Sequence, residues 1–218
     1  AQRVLELGCG TGRLLASLAS RAEQVVGLEL DPAFLEVARQ GLEALPSALC
    51  GRVKLVQGDM RGFAHEGAYD RILIPYNGLY CLLNDAQVLD CLRSVREHLA
   101  PGGELLLDAY AVHRQHLEPG DDEPDANHQE YVATLEHGGA SIRVFERSSW
   151  NLETQRLDVT YSYISEAPEG LSVREYTISQ RYLFADQLDA LLEQAGLALI
   201  ERRGGFDAPG FDEDSDLQ

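Results

Sequence analysis

Short apolar runs alternate with helical periods along the first half of the chain. Residues 4–7 are apolar except for Glu6, and a glycine-rich turn follows them. Leu14, Leu15 and Leu18 then recur at helical spacing within residues 13–20. A second buried-type strand covers residues 25–30. Asp31 next reads as an N-cap with Pro32 at the first helical position, and Phe34, Leu35 and Ala38 share one face. Val53, Leu55 and Gln57 mark a third strand, and residues 71–75 a fourth. Val88, Leu92, Val95 and Leu99 predict a helix over about residues 85–99, which Ala100-Pro101-Gly102-Gly103 stops before a fifth strand at 104–108. Repeated strand–helix alternation predicts an α/β fold built on a doubly wound, mostly parallel sheet with helices on both faces.

After Tyr110 the period becomes two. Residues 118–136 hold seven acids and no Lys or Arg, and read as a loop opening into a strand. Ile142 and Val144, then Leu157, Val159, Tyr161 and Tyr163, then Leu171 and Val173 alternate with polar residues. Turn-rich segments separate these runs, so an inserted antiparallel β-meander is expected. The alternation slips near Glu175-Tyr176, which predicts a bulge there. Leu188, Leu191, Leu192 and Ala195 return to helical spacing and end at Gly196, with a last strand expected at 197–203. The predicted organisation is a core of residues 1–110 and 185–218 around an inserted subdomain of residues 111–184, which covers the substrate, pairs two subunits as a homodimer, or does both.

Composition narrows the partners. The chain has 218 residues, 36 Asp+Glu against 18 Lys+Arg, and a formal net charge of −18. Of the cations 17 are Arg, and Lys54 is the only lysine. Nucleic-acid binding draws most of its affinity from cations on phosphates, so a nucleic-acid partner is not expected. No apolar run reaches the roughly 18 residues needed to span a membrane, so no membrane partner is expected. Cys9, Cys50, Cys81 and Cys91 form no C-x-x-C pair, and no signal segment opens the chain, which suits a cytoplasmic protein. No metal site is expected. A chain that opens on Ala1 without a starting methionine is expected to be a fragment or a trimmed chain.

The candidate chemistry lies at the strand ends. Glu6-Leu7-Gly8-Cys9-Gly10-Thr11-Gly12 joins the first strand to the first helix, and its glycines let backbone approach a ligand closely. Arg13 stands where the dinucleotide fingerprint G-x-G-x-x-G wants its third glycine, and no G-K-[ST] is present. Glu29 ends the second strand, where an acid accepts from ribose hydroxyls. Asp59, followed by Met60, ends the third, where an acid can accept from an adenine amino group. Three acids at successive strand ends suit a ligand with hydroxyl, amine and cationic groups better than a pyrophosphate.

The stretches VLELGCGTGRLL, VVGLELDP, VQGDM, YDRILIPYN and HLAPGGELLLD together resemble the class I S-adenosylmethionine-dependent methyltransferases, in order and spacing, over about residues 3–109 and 185–203. The resemblance implies a Rossmann-like fold, S-adenosyl-L-methionine as cofactor and methyl transfer to a nitrogen or oxygen of a small molecule. It implies Gly8, Cys9, Gly10 and Gly12 under the methionine part with Glu6 near its amino group, Glu29 and Leu30 at the ribose, and Asp59 and Met60 at the adenine. Pro75, Tyr76 and Asn77 would face the sulfonium and the acceptor, with Tyr80 and Tyr110 beside the acceptor. The inserted strands and the ending GGFDAPGFDEDS are similar to a bacterial subgroup acting on small molecules, including sugar and amine N-methyltransferases. Members of the family usually carry helices before the first strand and a seventh strand at the end, so the core is expected to be truncated at both ends.

Catalytic candidates are His113, Asp108 and Tyr76. Either His113 or Asp108, beyond the fifth strand, could take a proton from an attacking amine. His116 shares that edge, and His65, His98, His128 and His137 have no assigned partner. Asp31 is read only as a cap and Cys9 as a space-filler without chemistry. Tyr161, Tyr163, Tyr176 and Tyr182 are read as one packed sheet face rather than a cation cage. Three rival functions remain open at this point: a nicotinamide-dependent oxidoreductase, a nucleic-acid methyltransferase, and a non-catalytic scaffold of the same fold.

Overall fold

The computed structural model describes residues 2–63, 67–114, 129–167, 170–207, 210–212 and 215. The acidic loop expected from residue 118, as far as His128, and His65 and His116 lie outside them. The chain divides into two compact units, residues 1–111 with 184–218, and residues 112–183.

In the first unit β1 (Arg3–Leu7), β2 (Gln24–Glu29), β3 (Val53–Gln57), β4 (Tyr69–Ile74) and β5 (Leu99–Leu107) form a parallel sheet in the order β3-β2-β1-β4-β5. β1 lies at the centre and four of its five residues are buried, including Glu6, as expected of a parallel strand covered on both faces. The helices are α1 (Leu15–Arg21), α2 (Pro32–Glu43), α3 (Ser47–Cys50), α4 (Asp85–His98) and α5 (Ala185–Gln194). Asp31 caps α2 as expected: its carboxylate accepts from the Ala33 N–H at 2.8 Å, with Pro32 at the first position. Leu15, Ala19, Leu35 and Leu42 pack with Val4 and Val25 into the core.

The chain direction across the sheet reverses between β1 and β4. Connections leave neighbouring strand ends toward opposite faces at such a switch point, which opens a crevice at the carboxyl edge. That crevice is where the site must be sought.

Three local readings change. β5 starts at Leu99, straight after α4: Leu99 pairs with Tyr69, and the register then jumps so that Glu104 pairs with Arg71. Pro101 to Gly103, with Gly102 at φ 78°, forms a bulge within the strand rather than a separator before it. Residues 197–203 join neither sheet, and Leu199 and Ile200 stay exposed. An apolar run is not a strand without a neighbour to complete its ladder.

The second unit holds β6 (Glu130–His137), β7 (Ala140–Asn151), β8 (Arg156–Ala167) and β9 (Gly170–Arg181), antiparallel in sequence order. The bulge predicted near Glu175-Tyr176 is absent, because β8 and β9 pair without interruption from Arg156↔Arg181 to Ala167↔Gly170. The apolar residues of β9 instead change face, Leu171 and Val173 on one side and Tyr176 and Ile178 on the other. As an edge strand with all four exposed, β9 is not held to one buried face. The register shift falls between Tyr131 and Ala133 of β6. Tyr161 pairs directly with Tyr176, and the rings of Tyr163 and Tyr176 meet edge-on at 5.7 Å, a packed tyrosine face.

Candidate active site

The turn after β1 is bound to the end of β2. The Gly8 and Cys9 N–H groups both donate to Leu28 O, at 2.8 and 3.0 Å. Glu29 accepts from the Gly10 N–H at 2.9 Å through Oε2, and from the Leu30 and Asp31 N–H groups at 2.8 and 3.0 Å through Oε1. Three of the roughly four lone-pair sites of this carboxylate are thus filled by backbone, leaving about one for a ligand. Glu29 is therefore also a staple of the glycine turn, a role the sequence pattern did not signal.

Two glycines in the turn do different work. Gly12 has φ 82°, and a methyl group there would press to 3.1 Å on Ala38 Cβ and Leu15 Cδ1, so its bareness lets α2 and α1 pack. Gly10 has φ 54°, and a methyl group there would meet nothing within 4 Å. The space beside Gly10 is open to a ligand.

The crevice is a cleft of about 310 Å³, lined by Glu6, Gly8 to Thr11, Arg13 and Leu14 on one side and by Pro75 and Tyr76 on the other. Its size falls at the lower end of small-molecule sites. Glu6 is 2% exposed, and its Oε2 is buried without a hydrogen-bond partner among the described residues. Burial pushes the Glu6 carboxyl up to about 7, against the pull of the Arg13 guanidinium. Leaving a buried acceptor unpaired costs about 1–3 kcal/mol, so the cleft floor favours a ligand donor, above all a cation. The Cys9 thiol is buried and pushed up to about 12, first by burial and then by the Glu6 and Glu29 carboxylates, so it is no nucleophile at neutral pH.

The other predicted residues fall around this cleft unevenly. The Met60 methyl would lie 3.5 Å from a Cβ added to Gly8, so Met60 packs over the turn. Asp59 is gripped by Arg61, whose Nε lies 3.0 and 2.9 Å from its two oxygens. The Arg61 hydrogen bonds hold the Asp59 carboxyl below the usual carboxylate range, against the effect of burial. Leu30 is 62% exposed, an apolar surface next to Glu29. Tyr80 is fully buried; its hydroxyl donates to Tyr110 O at 3.1 Å and the two rings meet edge-on at 4.9 Å. His98 keeps Nδ1 2.7 Å from Ser94 O, within its own helix. His113 belongs to the second unit, outside any helix or strand and partly buried.

Beyond β4 the chain takes an unusual path. Tyr76 and Asn77 have φ of 59° and 60°, consecutive residues in the left-handed region, where a side chain costs about 1–2 kcal/mol. Asp108 and Tyr110, just past β5, hold them. The Tyr76 N–H donates to Asp108 Oδ2 at 2.9 Å, the Asn77 N–H to Asp108 O at 3.1 Å, and the Tyr110 N–H to Asn77 Oδ1 at 2.7 Å. The Asn77 amide oxygen is thereby committed to the chain rather than offered to the cleft. Tyr76 is 72% exposed, with the Arg13 guanidinium 4.7 Å from its ring centroid. Sequence reasoning noted Arg13 only as the residue that displaces a fingerprint glycine. Its place one residue past Gly12 was the available signal that it would face the cleft.

Residues 4–103 match the family model described as a methyltransferase domain. The CcbJ methyltransferase of Streptomyces caelestis superposes with a TM-score of 0.79 at 29% identity, over 100% of this chain and 86% of that one. CalS10 of Micromonospora echinaspora, an amino pentose methyltransferase solved with S-adenosylmethionine bound, superposes at 0.73 with 25% identity, over 96% of this chain and 81% of that one. Residues 4–103 form a methyltransferase domain, and the chain resembles the class I S-adenosylmethionine-dependent methyltransferases in sequence there and in fold over its length. The dTDP-3-amino-3,6-dideoxy-alpha-D-glucopyranose N,N-dimethyltransferase of Streptomyces fradiae is 26% identical to this chain over 213 residues, 97% of this chain and 76% of that protein. This resemblance does not favour the oxidoreductase alternative. The residues present fit the cofactor: the unpartnered Glu6 oxygen suits its ammonium group, and the open space at Gly10 admits it against the turn. No helix among the described residues is long and apolar enough to cross a membrane.

Proposed function

We propose that this methyltransferase methylates the amino nitrogen of a small molecule, with amino sugars as the acceptor class. The observation that carries the cofactor side of the reading is Glu6, a carboxylate on the cleft floor with one oxygen buried and without a partner among the described residues. The acceptor class is supported by relatives that align over almost the whole chain and bear amino-sugar names.

When bound, S-adenosylmethionine supplies an electrophilic methyl group on a sulfonium that departs as a neutral thioether. The chain's own residues do the rest by holding and aligning. Glu6 would take the ammonium group and Glu29 would offer its remaining lone pair to the ribose, while Asp59 would accept from the adenine amino group by giving up part of its hold on Arg61. Leu30 and Met60 supply apolar contact to the base. Tyr76 and Pro75 stand opposite the glycine turn and would offer the cofactor's sulfonium side uncharged groups, while carboxylates would hold its periphery. Such alignment supplies most of the acceleration when the leaving group is already good. An ammonium acceptor must lose a proton before its lone pair can attack, and the candidates to take it are His113 and Asp108. Free cysteines at positions 9, 50, 81 and 91 suit a cytoplasmic enzyme. Pairing of two subunits through the four-stranded sheet completes the reading, and the mass in sedimentation tests it.

The function is tested by titrating the whole chain with S-adenosylmethionine in a calorimeter, then offering a dTDP-amino sugar with radiolabelled methyl donor. Absence of binding heat overturns the family chemistry. Binding without transfer to any amine marks a non-catalytic scaffold.

A further inference from the structure

We propose that Asp108 is a positioning residue, which clips the strained Tyr76–Asn77 turn so that the Tyr76 ring stands as a wall of the cofactor cleft. The inference rests on the methyltransferase reading and assigns a duty within that same site.

The topology explains why this residue and not another does the clipping. Leu107 is the last residue of β5 and pairs with Ile74, the last of β4, so Asp108 is the first residue past the sheet beside Pro75. The Asp108 N–H continues the ladder by donating to Ile74 O at 3.3 Å, while its carbonyl accepts from Asn77 and its Oδ2 from Tyr76. Both the carbonyl and the carboxylate of one residue therefore grip two consecutive left-handed residues. Gly78 N–H to Pro75 O at 3.1 Å and Tyr80 N–H to Asn77 O at 2.9 Å close the turn behind them.

The Tyr76 ring needs this grip because little else fixes it. It is 72% exposed, so packing does not set its direction, and the ring lies where the backbone aims it. Its one described ring contact is the Arg13 guanidinium, which reaches across from the far side of the cleft. If the turn relaxed to an ordinary right-handed or extended path, the ring would leave the wall.

The test compares wild type, Asp108→Asn and Asp108→Ala as whole chains, titrated with S-adenosylmethionine by calorimetry and followed by hydrogen exchange over residues 74–80. Asp108→Asn keeps an oxygen to accept from Tyr76 and is expected to bind within about threefold of wild type, with exchange unchanged. Asp108→Ala is expected to raise the dissociation constant about tenfold and to speed exchange at Tyr76. Tyr76→Ala should weaken binding to the same extent, and Asp108→Ala combined with Tyr76→Ala should bind no worse than either alone, as expected of residues acting in series. Equal binding by wild type, Asp108→Asn and Asp108→Ala, or losses that add fully in the double variant, overturns the proposal. Should Asp108→Ala fail to fold, Asp108→Asn decides alone: a large loss of affinity or unprotected exchange in it refutes the clip. No heat from wild type overturns the methyltransferase reading and leaves the exchange measurement to judge the clip by itself.

Discussion

Glu6→Gln should make the free protein more stable and the enzyme a poorer binder of its cofactor. Glu6 is 2% exposed and its carboxyl titrates near 7 instead of the ordinary 4.5, chiefly because burial penalises the charge. Below pH 4.5 the group is protonated whether the chain is folded or not, and it adds nothing to the pH dependence. Between 4.5 and about 7 the folded protein holds a proton that the unfolded chain has released, so stability falls as pH rises. Above 7 both states are ionised and the full penalty stands. At 1.36 kcal/mol per pH unit, this displacement is worth about 3 kcal/mol. Glutamine keeps the shape and carries no charge, so urea denaturation at pH 8 should show a gain approaching that figure, reduced by the lost attraction to Arg13. At pH 4.5 the two proteins should be nearly equal. In the cofactor titration wild type should bind more tightly as pH rises from 6 to 8, because an ammonium partner needs Glu6 ionised, and should release protons on binding below 7. Glu6→Gln should bind more weakly with no such dependence. A Glu6→Gln protein that is less stable than wild type at pH 8, or that binds the cofactor as well, would refute the assignment of a strained buried carboxylate awaiting a cation.

Glu29→Ala should weaken cofactor binding by about 1–3 kcal/mol and also lower stability, since the Gly10, Leu30 and Asp31 N–H groups lose their acceptor; unchanged calorimetric affinity removes Glu29 from the ribose. Gly12→Ala should lower the thermal midpoint more than Gly10→Ala, because only the former drives a methyl group into Ala38 and Leu15. Gly10→Ala should instead lose cofactor affinity at modest cost to folding, and the reverse ranking in a melt and a titration would show the cleft to be misplaced. Asp31→Ala should cost about 1 kcal/mol in urea denaturation through loss of the α2 cap, with cofactor affinity kept.

The parts of the fold that were legible in the sequence are those governed by local period. Residues 4–7 and 25–30 announce buried parallel strands because both faces must be apolar, and Asp31-Pro32 announces a helix start because the cap is a local bond. The parts that were not legible depend on a partner. Residues 197–203 have the composition of a strand, but a strand exists only through a neighbour's ladder, and none among the described residues completes it. The slip at Glu175-Tyr176 looked like a bulge because alternation was taken to follow one buried face. On an edge strand exposed on both sides, the apolar residues can change face while the pairing stays intact.

The same distinction separates the two groups of acids at the site. Glu6, Glu29 and Asp59 could be placed from sequence because each lies at or next to the carboxyl end of its strand, and those ends share one edge in a parallel sheet. What each acid does there is decided by which N–H or guanidinium reaches it. Glu29 turns out to hold the glycine turn as well as facing the cleft, Asp59 carries Arg61, and only Glu6 keeps an oxygen free of any described partner. Asp108 is the extreme case. Its value as a clip comes from the register of β5 against β4, which brings it beside Pro75 one residue beyond the last paired position. A one-residue change in that register would point the carboxylate away from Tyr76. The duty of a carboxylate at a strand end is therefore set by the backbone groups that reach it, and at Asp108 Oδ2 that group is the strained Tyr76 N–H.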